Sequence, residues 1–131
     1  DAIDIPQMEE WVEQAMAVIF DLKPRNMLEI GCGTGLLLYR YAPKCESVHA
    51  IDLSQAALGT ISKELTRRNW QHVHLTQGDA AMVENLPADW QFDTIICNSV
   101  AQYFPNLPYL ETVIAGALAH LQPGGKLSTS T

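Results

Sequence analysis

Three glycines at alternate positions constrain the fold of this chain more than any other feature of its sequence. Residues 29–35 read EIGCGTG, directly after a short, largely apolar run at 26–30 and before a helical stretch at 36–42. A glycine-rich loop between a buried strand and a helix lets the backbone approach a ligand closely, and the start of the helix presents free N–H groups to an anion. The sequence therefore predicts a βαβ unit that binds a nucleotide-like cofactor.

The remaining segments alternate between strands and helices. An amphipathic helix follows Pro6, and two further helices begin near Ser54 and Pro108; we expect the last one to end at the turn formed by residues 123–125. Strands are predicted at 47–51, 72–76, 92–98 and 126–131, with a weaker helical stretch at 80–85. This alternation predicts a single α/β domain over residues 1–131, with a mainly parallel sheet and right-handed crossovers.

Charge and composition exclude several classes of partner. The net charge of −7 argues against binding to nucleic acid through phosphates. The chain has no apolar run long enough to span a bilayer and begins with acidic residues, so we expect a soluble, cytoplasmic protein that does not bind membranes. Its three cysteines include no C-x-x-C pair and its four histidines lack the spacing of metal ligands, so we expect no metal.

The spacing of the glycines narrows the choice of cofactor. The dinucleotide fingerprint G-x-G-x-x-G requires a glycine at position 36, which is Leu36, and a phosphate-binding P-loop requires G-K-[ST] where this chain has Gly35-Leu36-Leu37. Asp52 follows Gly31 by 21 residues, close to the roughly 20 expected for an acid that binds ribose hydroxyls. The missing glycine at position 36 disfavours a dinucleotide-dependent oxidoreductase, although this class of enzyme is kept as an alternative.

The pattern E-x-G-x-G-x-G resembles motif I of class I S-adenosylmethionine (SAM)-dependent methyltransferases. The segments GCGTGLLLYRYAP, IDLSQAAL and NSVAQYFPNLPYL are similar to the methyltransferase domains of nonribosomal peptide synthetases and polyketide hybrids. The turn at residues 123–127 resembles the entry to the family's fifth strand. The resemblance covers residues 25–131 and implies a Rossmann-like three-layer sandwich with five strands in the order 3-2-1-4-5.

The resemblance also implies roles for individual residues. The three glycines would lie against the methionyl part of SAM, Asp52 would accept both ribose hydroxyls, and Asp79 would accept from the adenine amino group. Glu29 would orient the loop or the cofactor amino group, or anchor the loop structurally, and Cys32 would be a small filler within the motif. The implied site for SAM and its product S-adenosylhomocysteine (SAH) comprises Glu29, Gly31, Cys32, Gly33, Gly35, Asp52, Leu53, Gly78, Asp79, Ala80 and Asn98.

We expect the methyl acceptor to bind after the fourth strand, where open parallel sheets bind their ligands. Asn98, Ser99 and Tyr103 are the candidates for contact with the acceptor, and Gln102, Phe104 and Pro105 would form the same wall. The resemblance implies methylation of an aminoacyl nitrogen during nonribosomal peptide or hybrid polyketide biosynthesis, on a small-molecule or carrier-bound substrate beside neighbouring synthetase domains. A free-standing O- or C-methyltransferase and a SAM-binding module without turnover are the alternatives.

The family's sheet continues with two more strands, which this chain lacks, so the sequence looks like a truncated piece of a larger protein. Its fifth strand would then be an exposed edge. We expect the protein to self-associate through that edge or to be only marginally soluble.

Overall fold

A computed structural model describes residues 5–98 and 106–129 of the chain. The elements run in the order α1 (Ile5–Asp21), β1 (Asn26–Ile30), α2 (Leu38–Tyr41), a first 3-10 segment (Ala42–Lys44), β2 (Ser47–Asp52), α3 (Gln55–Arg68), β3 (Val73–Gln77), a second 3-10 segment (Ala80–Asn85), β4 (Phe92–Cys97), α4 (Leu107–Ala119) and β5 (Leu121–Thr129). The predicted alternation of strands and helices is confirmed, and the weak helical stretch at 80–85 is a 3-10 helix.

The five strands form one parallel sheet in the order β3-β2-β1-β4-β5, as predicted. Ile30 at the end of β1 lies opposite Ile51 of β2 and Cys97 of β4. Because the strands are parallel and in this register, their carboxyl ends meet at one edge of the sheet. That edge carries the residues of the candidate site.

Both faces of the central strands are covered, which gives the three layers. Met27 and Leu28 are adjacent in β1 and fully buried, but they belong to two separate apolar clusters. One cluster is built with residues of α1, α2 and α3, and the other with residues of the second 3-10 segment and α4. Because successive strand residues face opposite sides, strands covered on both faces are largely apolar, and in β1 Met27, Leu28 and Ile30 follow this pattern while Glu29 departs from it.

The start of β5 differs from the prediction. Helix α4 ends at Ala119 and not at the Pro-Gly-Gly turn, and β5 begins at Leu121. Leu121 and Lys126 pair with β4 residues that are only two positions apart, so residues 122–125 form a bulge within the strand. Gly124 has a φ of +79° there. Gly124 and Gly125 therefore belong to a bulge within the strand. A Pro-Gly-Gly sequence is typical both of such a bulge and of the turn after a helix, so the local sequence does not distinguish the two.

Strand β5 forms one end of the sheet, where its pairing among the described residues is with β4 alone. The other end is β3. In the described part of the chain, no helix is both long and apolar enough to cross a membrane.

Candidate functional site

The glycine loop turns tightly over the carboxyl ends of β1 and β2. Gly31, Gly33 and Gly35 have φ values of +85°, +54° and +87°, a region that side chains other than glycine rarely adopt. The N–H groups of Gly31 and Cys32 both donate to the carbonyl of Ile51 in β2, at 2.7 and 3.2 Å. The three glycines of the motif are therefore required by the backbone path that holds the loop beside β2.

Asp52 fixes this loop from the end of β2. One carboxylate oxygen accepts from the N–H of Gly33 at 2.9 Å, and the other accepts from the N–H of Ser54 at 2.9 Å. Ser54 itself caps α3, since its hydroxyl accepts from the N–H of Ala57 at 3.1 Å. A carboxylate offers about four lone pairs, so each oxygen of Asp52 retains capacity for a further donor such as a ribose hydroxyl.

A cleft of about 120 Å³ opens between the ends of β1, β2 and β3. Ile30 and Ile51 form its apolar wall, and Tyr109 of α4 also lines it. Six residues of the predicted site complete the lining: Gly31, Asp52, Leu53, Gly78, Asp79 and Ala80. Sequence analysis missed Tyr109, because a tyrosine in the first turn of an amphipathic helix carries no signal of its own.

This cleft fits part of a nucleoside cofactor. Its apolar wall beside the Asp52 carboxylate suits an aromatic base attached to a sugar with hydroxyl donors. The enclosed volume is below the roughly 300–1,000 Å³ of a typical ligand pocket, so the remainder of a cofactor would extend along the glycine loop. Space is available there, because a Cβ atom built on Gly33 meets nothing within 4 Å.

Glu29 lies below the loop, buried in β1. Its two carboxylate oxygens accept hydrogen bonds from the hydroxyl of Tyr41 and from the side-chain amide of Asn98. Burial raises the pKa of Glu29 to about 7, while the bonds from Tyr41 and Asn98 act in the opposite direction. Tyr41 was missed by sequence analysis, which placed it only within a short helix.

Asn98 is tied to β1 at the point where β4 ends. Its backbone N–H donates to the carbonyl of Ile30 at 3.0 Å, and its side-chain amide donates both to Glu29 and to the carbonyl of Gly31 at 3.4 Å. The side chain thus supports the cofactor loop from the strand-four side. The other residues expected to contact the acceptor lie outside the described residues: Ser99, Gln102, Tyr103, Phe104 and Pro105.

Cys32 is a buried residue of the loop. Burial, with the nearby charges of Glu29 and Asp52, raises the pKa of its thiol to about 12. Since the thiolate is the nucleophilic form, Cys32 is a protonated side chain at neutral pH, and its place inside the loop suits the predicted role as a small filler.

Comparison with known proteins identifies relatives of this chain. A family model described as "Methyltransferase domain" matches residues 28–127. The chain is 41% identical, over 95% of its length, to a probable non-canonical nonribosomal peptide synthetase, CymA, of Salinispora arenicola, and 43% identical, over 97% of its length, to the chondramide synthase cmdD of Chondromyces crocatus. The matched regions are only 2% and 3% of those two proteins.

This chain is also similar in structure to a solved methyltransferase. The N-methyltransferase NodS from Bradyrhizobium japonicum, in complex with SAH, superposes with a TM-score of 0.72 at 26% identity; the match covers 88% of this chain and 59% of that one.

Proposed function

Because this chain belongs to the family of methyltransferase domains and depends on SAM, we propose that it methylates the amino nitrogen of an aminoacyl group held on a carrier domain of a nonribosomal peptide or hybrid polyketide synthetase. The observation that carries this proposal is the similarity to two synthetases over 95% and 97% of the chain. The matched segment is a small part of each synthetase, so neighbouring synthetase domains are the proposed partners.

Bound SAM supplies a methyl group on a positively charged sulfur, ready for direct displacement. We assign the binding of its nucleoside to the cleft, where Asp52 accepts from the ribose hydroxyls and Asp79 accepts from the adenine amino group. The contact between Asp52 and Gly33 supports this assignment, since it holds the carboxylate beside the glycine loop. At Gly33, where a Cβ atom would meet nothing within 4 Å, the loop leaves open backbone for the methionyl part.

The chain contributes to the reaction mainly by alignment and desolvation. Asn98 lies beside the loop at the end of β4, so an acceptor bound after β4 would approach the cofactor from the side opposite β3. We assign the acceptor side to Asn98, Ser99 and Tyr103. An amine acceptor must be unprotonated when it attacks, so the rate should rise with pH through the pKa of the bound amine.

The proposal is tested with aminoacyl groups loaded on an isolated carrier domain. With isotopically labelled SAM, we expect one labelled methyl group on the aminoacyl nitrogen, located by fragmentation mass spectrometry, and none on the unloaded carrier. Methylation of a free phenol or catechol with none on the loaded carrier would instead support an O-methyltransferase. Binding of SAH without turnover on any acceptor would contradict the enzymatic role and support a binding module.

A further inference from the structure

A buried hydrogen-bond network links three elements beneath the glycine loop. Glu29 of β1 is 1% exposed, Tyr41 at the end of α2 is fully buried, and Asn98 after β4 is 7% exposed. The Tyr41 hydroxyl donates to one carboxylate oxygen of Glu29, and the Asn98 amide donates to the other. Each oxygen of the Glu29 carboxylate therefore accepts one side-chain hydrogen bond.

The donors matter because the carboxylate has no positively charged partner. Among the described residues, no lysine or arginine forms an ion pair with Glu29. The ionisable groups that act on it are Asp52 of β2, Cys32 of the loop and Tyr41. A buried carboxylate without a cation depends on hydrogen bonds to stay ionised. The ionised form of Glu29 therefore rests on Tyr41 and Asn98.

We propose that Tyr41 is a positioning residue for the cofactor, whose hydroxyl keeps Glu29 ionised and oriented so that its negative charge favours the cofactor's ammonium group. This inference rests on the proposed binding of SAM at the glycine loop. Tyr41 acts through Glu29, since its hydroxyl bonds to Glu29. The inference adds to the site a residue from α2, which lies outside the glycine motif.

The pKa of Glu29 lies close to neutral pH, so a modest change in its hydrogen bonding changes its charge. Burial raises the pKa of Glu29 to about 7, and the bond from Tyr41 is the largest influence that lowers it. Burial and the charge of Glu29 raise the pKa of Tyr41 well above its usual value, so its hydroxyl remains a donor throughout the neutral range. Loss of this hydroxyl should therefore raise the pKa of Glu29 further and leave it protonated at neutral pH.

The test is calorimetric titration of SAH into wild type, Tyr41→Phe and Tyr39→Phe between about pH 6 and about pH 9. Removal of one hydrogen bond to a carboxylate should move the pH midpoint of SAH affinity upward by about one unit, with an affinity several-fold lower near neutral pH. Near pH 9 the affinities of Tyr41→Phe and wild type should converge. Tyr39→Phe is the matched control, since the Tyr39 ring packs on Gly35 of the same loop and against Arg68 and Trp70, but the hydrogen bonds to Glu29 come from Tyr41 and Asn98.

Two further variants, Glu29→Gln alone and combined with Tyr41→Phe, separate the effect of the Tyr41 hydroxyl on Glu29 from any change in packing. Glu29→Gln should abolish the pH dependence, and adding Tyr41→Phe to it should change the affinity little, because the group that Tyr41 acts on no longer titrates. An equal loss of affinity for Tyr41→Phe at every pH, or the same midpoint as wild type, would overturn the positioning role while SAM binding stands. If wild type binds no SAH at any pH, the proposed function itself fails.

Discussion

The carboxylate of Asp52 accepts a hydrogen bond from the backbone N–H of Gly33 at 2.9 Å, across 19 positions of sequence. The contact joins the carboxyl end of β2 to the middle of the glycine loop, so the predicted ribose-binding carboxylate faces the loop. It also ties the Asp52 carboxylate to a position from which its remaining lone pairs are available to a ligand. Backbone N–H groups of Gly33 and Ser54 therefore hold the Asp52 carboxylate in place before any ligand binds.

Two glycines within helices should respond in opposite ways to substitution by alanine. In α4, a Cβ on Gly116 would lie 2.8 Å from the backbone nitrogen of Glu84, so Gly116→Ala should lower the free energy of unfolding by about 1–3 kcal/mol. In α3, a Cβ on Gly59 meets nothing within 4 Å, so Gly59→Ala should raise it by about 0.5–1 kcal/mol.

Denaturant unfolding of both variants measures this difference. A Gly116→Ala protein as stable as wild type would show that α4 does not pack closely on the second 3-10 segment. The Gly59→Ala variant serves as the matched control for the helix propensity of alanine.

The sequence predicts the parts of this molecule that depend on local pattern. The positive φ values of Gly31 and Gly35 follow from their place between a buried strand and a helix, and Asp52 follows from its spacing. Tyr41 could not be predicted, because only the packing of α2 against β1 brings its hydroxyl to Glu29. The bulge in β5 was missed for a similar reason, since it depends on how the residues on either side of it pair with β4.

His49 should make stability depend on pH. Its ring bonds to Thr76 at 2.7 Å, and burial, with a smaller influence from His74, lowers its pKa from 6.5 to about 4. Between these two pKa values the folded state binds fewer protons than the unfolded state. The free energy of unfolding is therefore unaffected by His49 above about pH 6.5 and decreases as the pH falls toward about 4. The loss should reach up to about 3 kcal/mol.

The measurement is the difference in unfolding free energy between wild type and His49→Gln across that pH range. A difference is required because Glu29, whose pKa is raised, titrates in the same range with the opposite sign. If the difference between the two proteins does not change with pH, His49 does not contribute in this way.

The edge position of β5 predicts self-association. Its outer backbone groups are unpaired among the described residues, and such an edge is a template for another strand. Sedimentation velocity over a range of concentrations should show a sedimentation coefficient that rises with concentration. A monodisperse monomer at the highest concentration would contradict this prediction.

The most direct test of the cofactor site is calorimetric titration of SAH into wild type, Asp52→Ala and, as a control of equal charge, the exposed Asp89→Ala. We expect one site in wild type, binding weakened by about 1–3 kcal/mol in Asp52→Ala because the ribose hydroxyls lose their acceptor and Gly33 loses its partner, and no change in Asp89→Ala. An affinity in Asp52→Ala equal to that of wild type would contradict the ribose role of Asp52, and the absence of any binding to wild type would contradict the site itself.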